Sequence, residues 1–272
     1  VDNAGNITGI KVGRTKVKIT DVDNGYSTYI IVNVKKEGLV EPEIKEGEDF
    51  TVTLKANGTV WTYGKNGNGQ LGNGEEEDSN EPVQVLKEDE SELENIVEIE
   101  AEGKRAVAVD EAGEVYVWGL NTYQDEEGNT VNENLIYATK VEGISNILKA
   151  SIYGNNLYLV NNIGELYVIG PSYNGVTKID TEVGIIDIAR DLLLGEDGRV
   201  YLISNTEDAI EYLYNVCEIE SGEDHYLFLT LDGQVYSLGK NDLGQLGDGT
   251  NTTRTVVTLV KTGEGYLENI VN

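Results

Sequence analysis

The stretch Gly64-Lys-Asn-Gly-Asn-Gly-Gln-Leu-Gly-Asn-Gly74 returns 175 residues later (239 − 64) as Gly239-Lys-Asn-Asp-Leu-Gly-Gln-Leu-Gly-Asp-Gly249, with eight of eleven positions identical. The same offset carries Ile44, Gly47, Glu48, Asp49, Leu54 and Gly58 onto Ile219, Gly222, Glu223, Asp224, Leu229 and Gly233, so the repeat spans strands as well as the loop. Between these copies lie three weaker ones, Gly113-Glu-Val-Tyr-Val-Trp-Gly119, Gly164-Glu-Leu-Tyr-Val-Ile-Gly170 and Gly198-Arg-Val-Tyr-Leu-Ile-Ser204. The five units are spaced by 55 (113 − 58), 51 (164 − 113), 34 (198 − 164) and 35 (233 − 198) residues. Periods of roughly 20–50 residues mark solenoids, propellers or arrays, in which no single unit buries its own apolar face.

Within each unit, apolar and polar residues alternate on both sides of a dipeptide that tolerates positive φ, such as Asn57-Gly58, Asp197-Gly198 or Asp232-Gly233. That pattern predicts antiparallel hairpins. No long segment carries a 3.6-residue period, so helices are expected to be few. Repeated hairpins leave a radial propeller or a linear β-solenoid, and three or four strands per unit favour the propeller.

The loop motif, following a Val-Tyr/Trp-x-x-Gly strand and preceded by Ile-x-x-Gly-x-x-His/Phe, resembles the repeat of the regulator of chromosome condensation family. Its residues here are Gly64, Asn66, Gly69, Gln70, Leu71, Gly72 and Gly74, repeated as Gly239, Asn241, Gly244, Gln245, Leu246, Gly247 and Gly249. The resemblance implies an all-β chain whose five units form part of a seven-bladed β-propeller over residues 44–272, incomplete at its C-terminal end. The shortened units also resemble those of a secreted propeller that inhibits β-lactamase. Positions 37–43 read as a linker. Residues 1–36, with Lys16-Val-Lys-Ile-Thr20 and Tyr29-Ile-Ile-Val-Asn-Val34, resemble the C-terminal strands of a bacterial immunoglobulin-like group 2 domain, a partial β-sandwich.

Leu267-Glu-Asn-Ile-Val271 repeats Leu93-Glu-Asn-Ile-Val97, the segment leading into the next unit, and the sequence contains no Met. Both features are read as marks of an internal piece of a longer protein. No apolar run is long enough for a signal core or a membrane span, so membrane insertion is not expected. The immunoglobulin-like resemblance implies an extracellular or wall-displayed bacterial protein.

A formal charge of −29 argues against phosphate-backbone partners, which need clustered Lys and Arg. The acidic runs Glu75–Asp78, Glu88–Glu92 and Asp125–Glu127 read as solvated surface, and Asp21-Val-Asp-Asn-Gly25 as a hairpin turn carrying part of a calcium-loop pattern. Weak Ca2+ binding is the one cofactor chemistry considered; none is expected otherwise. Cys217 reads as a sheet residue and His225 as a structural histidine bonded within its blade. With one His and one Cys, neither a triad nor a zinc site assembles readily. The loop glycines are assigned the sharp turn at the blade edge, with Leu71 and Leu246 anchoring by burial and Gln70 and Gln245 by backbone hydrogen bonds. Trp61, Tyr63, Tyr116 and Trp118 are assigned to packing between blades rather than to sugar stacking. The expected function is a non-enzymatic interaction module that binds a protein or glycan, with the immunoglobulin-like part as stalk. An enzyme-inhibiting propeller is the alternative among binding roles, and a glycoside hydrolase with carboxylates on the central channel is the alternative from another class.

Overall fold

The computed structural model describes residues 13–20, 27–34, 39–125, 127–172, 175–204, 210, 213–263, 265–268 and 270. Among them all regular structure is β, and there is no helix. Strands β1 (Gly13–Thr20) and β2 (Ser27–Val34) form a two-stranded antiparallel sheet, Gly13 opposite Val34. The Asp21–Gly25 turn lies outside the described residues.

Five further sheets follow, each an up-and-down meander in chain order. Blade 1 comprises β3 (Glu43–Glu46), β4 (Phe50–Leu54), β5 (Val60–Gly64) and β6 (Ser79–Gln84); blade 2 comprises β7 (Ile96–Glu102), β8 (Arg105–Asp110), β9 (Val115–Gln124) and β10 (Thr130–Lys140). Blade 3 is β11 (Ile147–Tyr153), β12 (Asn156–Asn161), β13 (Leu166–Ile169) and β14 (Thr177–Ile179). Blade 4 has three strands, β15 (Ile185–Ala189), β16 (Leu192–Gly195) and β17 (Val200–Leu202). Blade 5 is β18 (Val216–Ser221), β19 (His225–Thr230), β20 (Val235–Gly239) and β21 (Arg254–Leu259). The chain is an all-β protein of propeller type.

Successive first strands lie side by side, β3 by β7, β7 by β11, β11 by β15 and β15 by β18, and so form the inner layer. Four apolar cores fill the spaces between consecutive blades. Period-two alternation explains how one strand serves two cores. On β8, Ala106 and Ala108 face blade 1 while Val107 and Val109 face blade 3. Strand β16 is buried at all four positions, as a strand covered on both faces must be.

Blade 2 departs from a plain meander. Strand β8 pairs with β9 only over Val115–Gly119, whereas β10 pairs with β9 out to Gln124, so the outer part of β9 and β10 is a two-stranded ribbon extending beyond the sheet. The acidic Asp125 sits at its turn, where its carboxylate accepts the N–H of Glu127 at 3.0 Å and of Asn129 at 2.8 Å.

Candidate functional site

The repeated loop is organised by its asparagine. Asn66 is fully buried; its Oδ1 accepts the N–H of Leu71 at 2.9 Å and its Nδ2 donates to the Glu75 carbonyl at 2.8 Å. Asn241 does the same, accepting from Leu246 at 2.9 Å and donating to the Thr250 carbonyl at 2.9 Å. Leu71 and Leu246 are both fully buried. Gln70 and Gln245 each accept a backbone N–H two residues back, from Asn68 at 2.7 Å and Leu243 at 2.9 Å. A hydroxyl from the preceding strand closes each loop, Thr62 on the Leu71 carbonyl and Ser237 on the Leu246 carbonyl, both at 2.7 Å. Gly64 and Gly239 adopt φ near 118° and 116°, and a Cβ on either would lie 2.4 Å from the Asp49 or Asp224 carbonyl, so only glycine fits.

The first loop is also a joint. Trp118 of blade 2 donates its indole N–H to the Gln70 carbonyl at 2.9 Å, and Gly74 N–H donates to the Ile136 carbonyl on β10 at 2.9 Å. Asn134 on the ribbon donates to Glu76 at 2.7 Å. Loop 64–78 and the β9–β10 ribbon therefore form one composite outer face, carrying Glu75, Glu76, Glu77, Asp125, Glu127 and Glu133.

The aromatic assignments divide. Trp118 is fully buried and Tyr116 partly buried in the core between blades 1 and 2, while Tyr63 is 40 % exposed and Trp61 carries the Lys55 ammonium 3.6 Å above its ring. His225 packs its ring over Gly222 as Phe50 packs over Gly47; a Cβ on these glycines would lie 2.1 and 1.9 Å from the rings. This shared packing explains why Phe can stand where His does. Cys217 is half-buried on β18, its Sγ 3.4 Å from the Leu229 carbonyl.

A second cluster lies on the inner strands, one residue before the apolar position that faces the preceding blade. Aligning the strands places Glu43, Glu98, Lys149, Asp187 and Glu218 at one level, and Lys45, Glu100, Ser151, Ala189 and Glu220 at the next. Lys149 bridges to Glu98 at 3.0 Å and Lys45 to Glu100 at 3.4 Å. Burial pushes Glu98 up to about 7 despite Lys149, and Asp187 up to about 6 against the same lysine. Glu43 is raised by burial, with Lys45 and Lys149 opposing. Burial alone would lower Lys149, yet Glu98, Asp187 and Glu43 together hold it firmly protonated. Lys45 likewise stays protonated, its burial outweighed by Glu100, Glu220 and neighbouring carboxylates. The arrangement is an internally neutralising axial charge cluster that can store and release protons around neutral pH. Among the described residues no group of His, Cys, Asp and Glu has the geometry to hold a metal ion.

Sequence reading did not single out this axial cluster. The signal was present in Glu43-Ile-Lys, Glu98-Ile-Glu and Glu218-Ile-Glu, where a charged residue precedes the same Ile.

Residues 57–107 and 232–270 match the family model "Regulator of chromosome condensation (RCC1) repeat", and 216–245 match a second model of that repeat. The chain carries RCC1 repeats. The matched segments coincide with the two loop-bearing units, blades 1 and 5, and extend in each case toward the following inner strand. Among curated relatives, Protein pim1 of Schizosaccharomyces pombe is 29% identical over 229 residues, covering 80% of this chain and 41% of its own. The Ultraviolet-B receptor UVR8 of Arabidopsis thaliana is 28% identical over 216 residues, covering 79% of this chain and 44% of its own. The chain thus spans less than half the length of these two relatives. Among solved structures, Prp20p of Saccharomyces cerevisiae superposes with a TM-score of 0.59 at 18% identity, over 83% of this chain and 63% of that one, which establishes a shared fold. That structure's description records binding to Gsp1p and histones. RCC1-type propellers of this kind serve as protein-interaction or regulatory modules.

Proposed function

We propose that the chain is a non-enzymatic interaction module of a bacterial surface or secreted protein. In this reading the propeller binds a protein partner through the composite face of loop 64–78 and the β9–β10 ribbon, and the N-terminal strands belong to an immunoglobulin-like stalk. The observation that carries it is the division of labour in blade 1. Asn66, Gln70 and Leu71 are turned inward to hold the scaffold, while the ribbon beside them, absent from the other blades, presents Tyr123 at 38 % exposure and several carboxylates outward. A rigid scaffold carrying one elaborated, amphipathic projection is how binding surfaces are commonly built.

The acidic character of the face selects a partner with a basic surface; attraction of that kind raises association rates and weakens with salt. Capture of host or bacterial proteins on the immobilised chain, followed by Tyr123→Ala and Glu127→Lys, tests the reading. A specific ligand whose affinity falls at least about tenfold in both variants, with the unfolding midpoint unchanged, supports it. A ligand indifferent to both variants overturns the face, and labelling that finds the protein only inside cells overturns the location. A glycan ligand would appear as a saturable hit on a glycan array. The axial carboxylates keep a hydrolytic reading testable: turnover of aryl glycosides that is lost in Glu98→Gln would replace the binding proposal.

A further inference from the structure

Every blade after the first is opened by one recurrent main-chain bond. The N–H of Ile96, Ile147, Ile185 and Val216, each the first residue of its inner strand, donates to the carbonyl of hairpin residues Gly58, Gly113, Gly164 and Gly198 in the preceding blade, at 3.0, 3.1, 2.9 and 3.0 Å. Ile270 makes the bond a fifth time, to Gly233 at 3.1 Å. The approach repeats as well: Lys261 to Gly247 (2.8 Å) and Leu267 to Val260 (2.8 Å) reproduce Leu86 to Gly72 (2.8 Å) and Leu93 to Val85 (3.0 Å). Yet Ile270 is 37 % exposed, whereas the four earlier openers are 0–3 % exposed.

The sheet behind Ile270 is correspondingly bare. Val52, Leu54, Val60 and Val85 of blade 1 are fully buried against blade 2, but Leu227, Leu229, Val235 and Val260 at the same positions of blade 5 are all partly exposed. Leu243, in the loop of blade 5, is 87 % exposed.

We propose that this face of blade 5 seats a sixth sheet of the same repeat class, entered in cis through Ile270. The bond at Ile270 sets the entering strand beside β18, the place that β3 of this chain or of a second copy would otherwise have to occupy. Blade 2 shows what the sheet must offer. Ala101, Ala106 and Ala108 let it approach closely, and an N–H-bearing aromatic at the position of Trp118 would reach the Gln245 carbonyl as Trp118 reaches Gln70. An open apolar sheet face of this size is otherwise a liability.

Hydrogen exchange tests the proposal on two proteins: the 272-residue chain and the same chain with a copy of residues 97–142 joined after Ile270. Expected in the extended protein is at least about tenfold slower exchange of the Leu229 and Leu246 amides, lower binding of an apolar dye and a monomeric mass. Unchanged exchange in a folded extended protein overturns the proposal. Should the extension fail to fold, the 272-residue chain alone decides. A bare face predicts that Val260→Asp shifts the unfolding equilibrium by no more than about threefold, while Val85→Asp shifts it at least about a hundredfold. Equal sensitivity of the two sites, or a dimer that dissociates in Val260→Asp, shows that blade 1 or a second copy covers the face, and sinks the cis sixth sheet.

Discussion

Trp118 and the Gln70 main chain are joined by a 2.9 Å indole hydrogen bond that crosses from blade 2 to the loop of blade 1. The donor is fully buried. Trp118→Phe leaves the Gln70 carbonyl without that donor and is expected to cost about 1–3 kcal/mol, and Trp118→Ala about 3–5 kcal/mol with its added cavity. Urea unfolding measures both. Hydrogen exchange should show the loss concentrated in residues 66–74 for the Phe variant; loss spread evenly over all blades would contradict the joint.

Asn66 and Asn241 each bind both ends of their loop through a buried amide. Asn66→Ala is expected to destabilise the chain by about 2 kcal/mol, since the Leu71 N–H and Glu75 carbonyl lose their partner together. Gln245→Ala, at a half-exposed site, should cost under about 1 kcal/mol. Reversal of that order in thermal unfolding would show that the glutamine, not the asparagine, organises the loop.

The axial cluster makes stability depend on pH with a definite sign. Glu98 rises from 4.5 to about 7 and Asp187 from 3.8 to about 6 on folding, mainly through burial. A group that binds its proton more tightly when folded stabilises fully below its unfolded value and loses that contribution as pH rises through its folded value. Stability should therefore fall between about pH 4 and pH 7, by on the order of 2 kcal/mol from Glu98. Glu98→Gln should flatten the upper part of the profile. A melting temperature that rises over this range, or a variant with the parent's slope, would refute the assignment.

Two glycines on blade 2 separate backbone strain from crowding. Gly103 and Gly119 both have positive φ, 57° and 89°. A Cβ on Gly103 meets nothing within 4 Å, whereas one on Gly119 would lie 2.2 Å from the Lys104 carbonyl. Gly103→Ala is expected to cost about 1 kcal/mol and Gly119→Ala more than about 3 kcal/mol. Similar melting temperatures for the two variants would argue against the close approach.

Much of this was legible in the residues. The strand pairs flanking Asn57-Gly58 and Asp232-Gly233 follow from alternation and turn chemistry, and the matching loops name blades 1 and 5 directly. Blade 4 could be counted but not fully drawn, because the 34-residue spacing before it shows only that loop is lost. The division of aromatic roles was hidden for a different reason. Tyr63 and Trp118 occupy equivalent strand positions, and exposure is decided by whether another sheet lies against them. The axial cluster is a property of five strands at once, so no single stretch of sequence displays it.

The glycine carbonyls that open each inner strand also imply an order of assembly. Each completed meander offers the floor on which the next is laid, so the fold can grow from the amino end during synthesis without waiting for distant partners. The same bond lets whole units be inserted or deleted in evolution: unit four has lost an outer strand and most of its loop while keeping its carbonyl at Gly198 for Val216. Circumference and surface chemistry can thus change independently.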